Sequence, residues 1–259
     1  MKKWPLFFAI YFCICLLAAC AASGNGPVPG GTPSNEAQSG GETCQSASVT
    51  AICRVVSNDG SLLLAGMDGD TNIYTLTPED ATNLAAGTLV EVTYGGSILE
   101  SWPAQFGGVT AVEAMAGGFD DRCALYFQVL EDLWDVDPGL NSDLTYLGVD
   151  LSQTSLSESE RSAVAWAFAG RHGGELLTGT WEELADQGYI DKEHLQWEDG
   201  ILFTIAEKPV FGSYGLKPVA FDAQKWRSGT GAYFFSSCTA TQAEDGHWGD
   251  YSVGSEAIS

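Results

Sequence analysis

The 259-residue chain carries 34 acidic against 11 basic side chains, a formal net charge of −23. A field of that sign repels nucleic-acid phosphates and anionic headgroups, which argues against DNA or RNA as a partner. Hydrophobic residues make up 45% of the chain, with 8 Trp and 12 Phe, so it has the bulk for packed cores and is not a disordered acidic polymer.

Lys2 and Lys3 precede an uncharged apolar run from Phe7 to Leu17, too short to span the ~30 Å hydrocarbon core as a permanent helix. The run ends Leu17-Ala18-Ala19-Cys20, which resembles the lipobox of bacterial lipoproteins. The resemblance implies cleavage before Cys20, acylation of its thiol, and a chain held on the extracytoplasmic face of the cell membrane. Two or three acyl chains suffice for stable anchoring, each buried methylene contributing ~0.8 kcal/mol. Loss of residues 1–19 as a signal peptide leaves 9 basic against 34 acidic residues, a net charge of −25. Residues 20–43 are rich in Gly, Pro, Ser and Asn with little to bury, and are expected to form a tether.

From 44 to 116 the pattern is that of short strands separated by turn signals. Val49–Val56 is followed by Asn58-Asp59-Gly60, Leu62–Ala65 by Asp68-Gly69-Asp70, and Leu89–Tyr94 by Gly95-Gly96. Five or six strands in about seventy residues predict a small β-barrel or sandwich. The strand order, with Gly87, Val90, Val92, Tyr94 and Ile98 at their spacings and then Glu100-Ser101-Trp102-Pro103-Ala104-Gln105, resembles the YobA-like domains of exported Gram-positive proteins. That resemblance implies an OB-like barrel and an exported address. It brings no activity with it.

Residues 117–259 are expected to form a separate α+β domain, an antiparallel sheet with helices on one face. Gly117-Gly118 is read as a hinge, and Asp120 or Asp121 as the cap of a helix through Trp134 ended by Asp137-Pro138-Gly139. Ser157-x-x-Glu160 and Thr180-x-x-Glu183 are capping boxes opening two further helices. Strands are expected at Leu144–Val149, Leu195–Trp197, Ile201–Ile205, Lys217–Phe221, Gly231–Ala240 and Trp248–Val253.

Little in the chain carries chemistry. Four cysteines remain beyond Cys20, with no C-x-x-C spacing. In an exported chain they allow disulfides, Cys44–Cys53 and Cys123–Cys238 being the pairings the domains favour, with four buried free thiols as the other reading. Asp68-x-Asp70-x-Asn72 with Glu79 imitates a calcium loop but has Ile73 where a sharp turn needs Gly, so a polar hairpin turn is expected. His172, His194 and His247 have no zinc spacing, and nucleophile-elbow and phosphate-loop motifs are missing from the sequence. No cofactor or metal is implied. Lys225-Trp226-Arg227 places two of the few cations around an aromatic ring, a candidate contact for a ligand. The sequence thus points to a non-catalytic binding or accessory module at the cell envelope, with a protein or glycan partner. The alternative is a glycan hydrolase-like enzyme working through a carboxylate pair.

Overall fold

The computed structural model describes residues 48–77, 84–210 and 217–259. Residues 45–259 form one compact unit. Its first sheet takes strands β1 (Val49–Asn58), β2 (Leu62–Gly66), β3 (Ile73–Leu76), β4 (Leu89–Tyr94) and β7 (Ala111–Ala114) in the order β3-β2-β1-β4-β7, all antiparallel. A short hairpin, β5 (Ser97–Leu99) and β6 (Gln105–Gly107), stands apart from it. Among the described residues the sheet is open and not closed into a barrel.

The second sheet runs β13-β12-β11-β10-β8-β9, built from β8 (Tyr146–Gln153), β9 (Glu175–Thr178), β10 (Gly200–Lys208), β11 (Lys217–Ser228), β12 (Gly231–Gln242) and β13 (Ser255–Ile258). The helices are α1 (Arg122–Asp135), α2 (Glu158–His172) and α3 (Trp181–Asp186). This sheet is mixed, which corrects the expected antiparallel one: β8 lies parallel to both β9 and β10. The cause is the connection. Strand β8 returns through α2 to β9, and a helical crossover delivers the next strand parallel. Residues Trp248–Val253 make only isolated bridges, through Trp248 and Ser252, and the final edge strand lies later, at Ser255–Ile258. Leu195–Trp197 does not form a hairpin with β10; Gln196 bridges Ser228 and Trp197 N–H donates to Arg227 O at 2.8 Å.

Period-two alternation sends the first sheet's side chains into two cores. Leu62, Leu64, Tyr74, Cys53, Val55, Val90 and Val92 join Phe106 of the hairpin on one face. Leu63, Ala65, Ile73 and Val56 turn the other way, into a core shared with α1, α2 and the inner face of the second sheet. Helices α1 and α2 are therefore covered by sheet on both sides. The expected division at 116/117 separates two sheets of one unit. Helix α3 covers the opposite face of the second sheet with Leu184, Trp197 and Leu202, so helices lie on both of its faces and not on one. Trp197 fits there because Gly148 and Gly200 lie under its ring; a Cβ at either would come within 3 Å of it.

One buried cation fastens the first sheet to the helices. Arg54, 8% exposed in β1, donates from Nε to Glu160 Oε1 at 2.8 Å and from Nη1 to the carbonyls of Gly87, Gly118 and Asp120. Glu160 is also the distal member of the α2 capping box, its Oε2 accepting from Ser157 N–H while Ser157 Oγ accepts from Glu160 N–H. The carbonyl of Gly118, in the segment read as a hinge, is thus pinned by Arg54. Beside it, Ser159 Oγ donates to Gly66 O at 2.6 Å.

Cys123 and Cys238 are free, buried thiols and form no bridge with each other. Cys123, at the start of α1, feels the charges of Glu160 and Arg54, whereas Cys238 on β12 feels those of Asp222 and Lys208. They look into different parts of the shared core. Cys53 is a buried thiol in β1, and its expected partner Cys44 lies outside the described residues, as do Cys20, the tether and Glu79. Burial pushes Cys53 up to about 12 and Cys238 up to about 11, and raises Cys123 as well, so these thiols are poor nucleophiles.

Replacing Arg54 by Met leaves Glu160 Oε1 and the carbonyls of Gly118 and Asp120 without their donor, while Gly87 O keeps the Asp120 N–H. Removing one partner of a buried ion pair costs about 3–5 kcal/mol. The prediction is a loss of about 3 kcal/mol, measured as a drop in the urea midpoint.

Candidate functional site

The triplet Lys225-Trp226-Arg227 lies in β11, with Lys225 buried and Trp226 and Arg227 half-buried. Lys225 is fully buried on the face toward α1, where its Nζ donates to the carbonyls of Trp134, Val136 and Asp137 and to Asn141 Oδ1. These acceptors end α1 and begin the turn after it, so the ammonium meets the negative end of the helix. Arg227 serves the same connection, donating from Nη1 to Leu140 O and Ser142 O and from Nη2 to Glu198 O. Trp226 points to the other face and meets Trp181 edge-on at 5.8 Å. Lys225 and Arg227 hold the α1–β8 connection on the sheet, and Trp226 packs beneath α3.

The histidines are each paired with a carboxylate. His194 Nδ1 lies 2.7 Å from Asp191 Oδ2, and His247 Nδ1 lies 2.9 Å from Asp121 Oδ2, a bond that raises the His247 pKa. His172 Nε2 meets Glu131 Oε1 at 2.7 Å and its ring stacks on Trp134 at 4.0 Å. Asp70 holds its own turn, accepting from Asn72 N–H and Tyr74 O–H. Among the described residues no group of three or more metal-ligating side chains comes together.

A shallow acidic concavity gathers Asp143, Asp191, Glu198 and Asp199 beside Tyr189. A hydrolytic general acid needs a carboxyl held above its usual range. Here Asp191 is displaced downward, by the hydrogen bond from His194 and then by backbone N–H groups.

The feature with the form of a binding site lies at the seam between the first sheet and the helices. A groove of about 480 Å³ is walled by Val56 and Leu63 of the first sheet, Ala124 and Phe127 of α1, and Trp166, Ala167 and Gly170 of α2. The lining follows from helical spacing: 124 and 127 share one face of α1, while 166, 167 and 170 share one face of α2. Gly170 leaves open space where a side chain would stand. At the mouth Arg171 lies over the Phe127 ring at 4.9 Å, donates to Glu131 Oε2 at 3.1 Å and reaches within 3.9 Å of Asp59 Oδ2. An apolar wall with a few convergent charges at its rim is the usual form of a ligand or peptide site.

The sequence signal for this groove was the pair of small residues Ala167 and Gly170 beside Trp166 in α2, none of them fully buried.

No protein-family model matches the chain, and no curated protein or solved structure is detectably similar to it.

For the triplet, Lys225→Met strips the donor from Val136 O and Asn141 Oδ1. Leaving buried acceptors unpaired costs about 1–3 kcal/mol, and a loss of about 2 kcal/mol in chemical unfolding is expected at pH 7. Burial lowers the Lys225 pKa from 10.5 to about 8. Between those values the unfolded lysine still binds its proton and the folded one does not, so folding gains stability as pH rises. The deficit of the variant should therefore widen from pH 8 toward 10.5, and a pH-independent deficit would contradict the placement.

Proposed function

We propose that this chain is a membrane-anchored extracytoplasmic lipoprotein that works as a non-catalytic binding module. Its ligand is an apolar segment of an envelope protein, seated in the groove between the first sheet and the helices. The observation that carries this reading is the groove itself: a cleft lined by Phe127, Trp166, Val56 and Leu63, with Arg171 and Asp59 at its mouth. The address rests on Leu17-Ala18-Ala19-Cys20 and the basic, then apolar, residues before it. The likeness of residues 44–116 to YobA-like domains, and with it an OB-like ancestry for the open first sheet, belongs to the same proposal.

Gly170→Leu tests the groove without weakening the fold. The new side chain enters open space and replaces the least helix-favouring residue short of proline, a gain of about 0.8–1 kcal/mol. A photoreactive residue at Ala167 should crosslink one dominant envelope protein in cells, and Gly170→Leu should abolish the adduct while keeping or raising the unfolding midpoint. A crosslink indifferent to Gly170→Leu, or none at all, would overturn the groove as the site. The anchor has a separate test: Cys20→Ser should release the protein into the medium or leave an unprocessed precursor, and normal processing with full membrane retention would refute it.

A further inference from the structure

Among the described residues, the hairpin β5–β6 displays apolar side chains with nothing over them. Ile98 is 43% exposed, Leu99 54% and Trp102 61%, the last in the connecting loop. This apolar tip is held rigidly. Phe106, opposite Ile98 in the register, is buried and stacks on Tyr74 at 4.1 Å. Two residues back, Ala104 exchanges backbone hydrogen bonds with β3, donating to Ile73 O and accepting from Thr75 N–H. One leg of the hairpin and the end of its loop are thus part of a core, while Ile98, Leu99 and the start of the loop through Trp102 face outward.

Two observations decide what covers that tip. The first is charge: residues 95–112 contain Glu100 as their single charged side chain, in a chain of net charge −23. A strongly hydrated partner surface would be poorly matched to so neutral a patch. The second is where the described chain begins. Val49 pairs with Tyr94 at the end of β4, two residues before Gly96, and a Cβ on Gly96 would lie 3.5 Å from the Val49 side chain. The described chain therefore begins beside the hairpin. Twenty-seven residues separate Cys20 from Ser48, and a Gly-rich linker of that length has a root-mean-square reach of about 30 Å.

We propose that the β5–β6 hairpin is a second membrane contact, in which Ile98, Leu99 and Trp102 enter the interfacial zone of the lipid surface that carries the anchor. This rests on the anchored-lipoprotein reading. Tryptophan favours the headgroup level, where its ring is half solvated and its N–H keeps a partner. The outer strand has unpaired backbone groups that hydrocarbon could not satisfy, so contact stops at the interface. A single such tip binds weakly from solution, but the tether makes the encounter intramolecular and raises its effective concentration. The contact is apolar, so a zwitterionic surface suits it better than an anionic one, which the acidic body repels. It also orients the unit, with the first sheet toward the membrane.

The test supplies the tether artificially, so that it stands apart from the fate of Cys20. A chain starting at residue 21 with an N-terminal hexahistidine is held on zwitterionic phosphatidylcholine vesicles containing a nickel-chelating lipid and brominated acyl chains. Tryptophan fluorescence should be quenched on these vesicles relative to unbrominated ones, and Trp102→Phe should lose that quenching. Ile98→Ser/Leu99→Ser, which changes two exposed side chains, should weaken it with an unchanged near-ultraviolet dichroism spectrum. Equal quenching in wild type and Trp102→Phe, or no quenching in wild type, overturns the proposal. A concentration-dependent dimer in solution that is lost in Trp102→Phe also overturns it, since the tip would then be covered by a second copy. Failure of the anchor shows separately, in the processing of Cys20→Ser.

Discussion

The structure depends on a guanidinium that is almost wholly withdrawn from bulk water. Transferring a charge from water into a protein interior costs several kcal/mol, and the cost is offset only where good acceptors surround it. Arg54 finds those acceptors on three separate pieces of chain: the capping carboxylate Glu160 of α2, the Gly87 carbonyl before β4, and the carbonyls of Gly118 and Asp120 before α1. Separating the first sheet from the helices would strand the arginine and leave Glu160 Oε1 without its donor. This is the physical reason that residues from both halves of the sequence behave as one unit.

The shared core completes what the arginine begins. Because β2 alternates, Leu63 and Ala65 face the helices while Leu62 and Leu64 face the hairpin, and each core is closed by elements distant in sequence. The clamp sits at the N-terminal end of α2, at Glu160, and the groove opens at its C-terminal end, at Trp166 to Arg171. Eleven residues of helix separate Glu160 from Arg171, about 16 Å at 1.5 Å per residue. The seam is tight at one end and parted at the other. Arg171 lies across the parted end, its charge shared between Glu131 and a weak, solvent-screened approach to Asp59.

What was legible in the sequence was local. Both capping boxes form as spelled, at Ser157/Glu160 and Thr180/Glu183, because each is decided within four residues. Asp121 occupies the N-cap position of α1 but its carboxylate is taken by His247 and Trp248, not by the helix, while the chain turns at Pro138, as the Asp-Pro-Gly punctuation implied. Partnerships across the chain were not legible. Arg54 reads as one more polar residue in a strand, since nothing nearby in sequence says that Glu160 will meet it. Lys225-Trp226-Arg227 looked like an exposed cationic patch in an acidic protein. Its cations are instead consumed by carbonyls some ninety residues earlier. The parallel placement of β8 and the separate environments of Cys123 and Cys238 are likewise set by the crossover through α2 and by which core each element enters.

Calorimetric unfolding of the chain from residue 21 onward tests the central claim, that two sheets of different character fold as one cooperative unit around Arg54. The account predicts a single transition whose calorimetric and van't Hoff enthalpies agree. Two resolved transitions, with Arg54→Met moving only the one assigned to the first sheet, would contradict it.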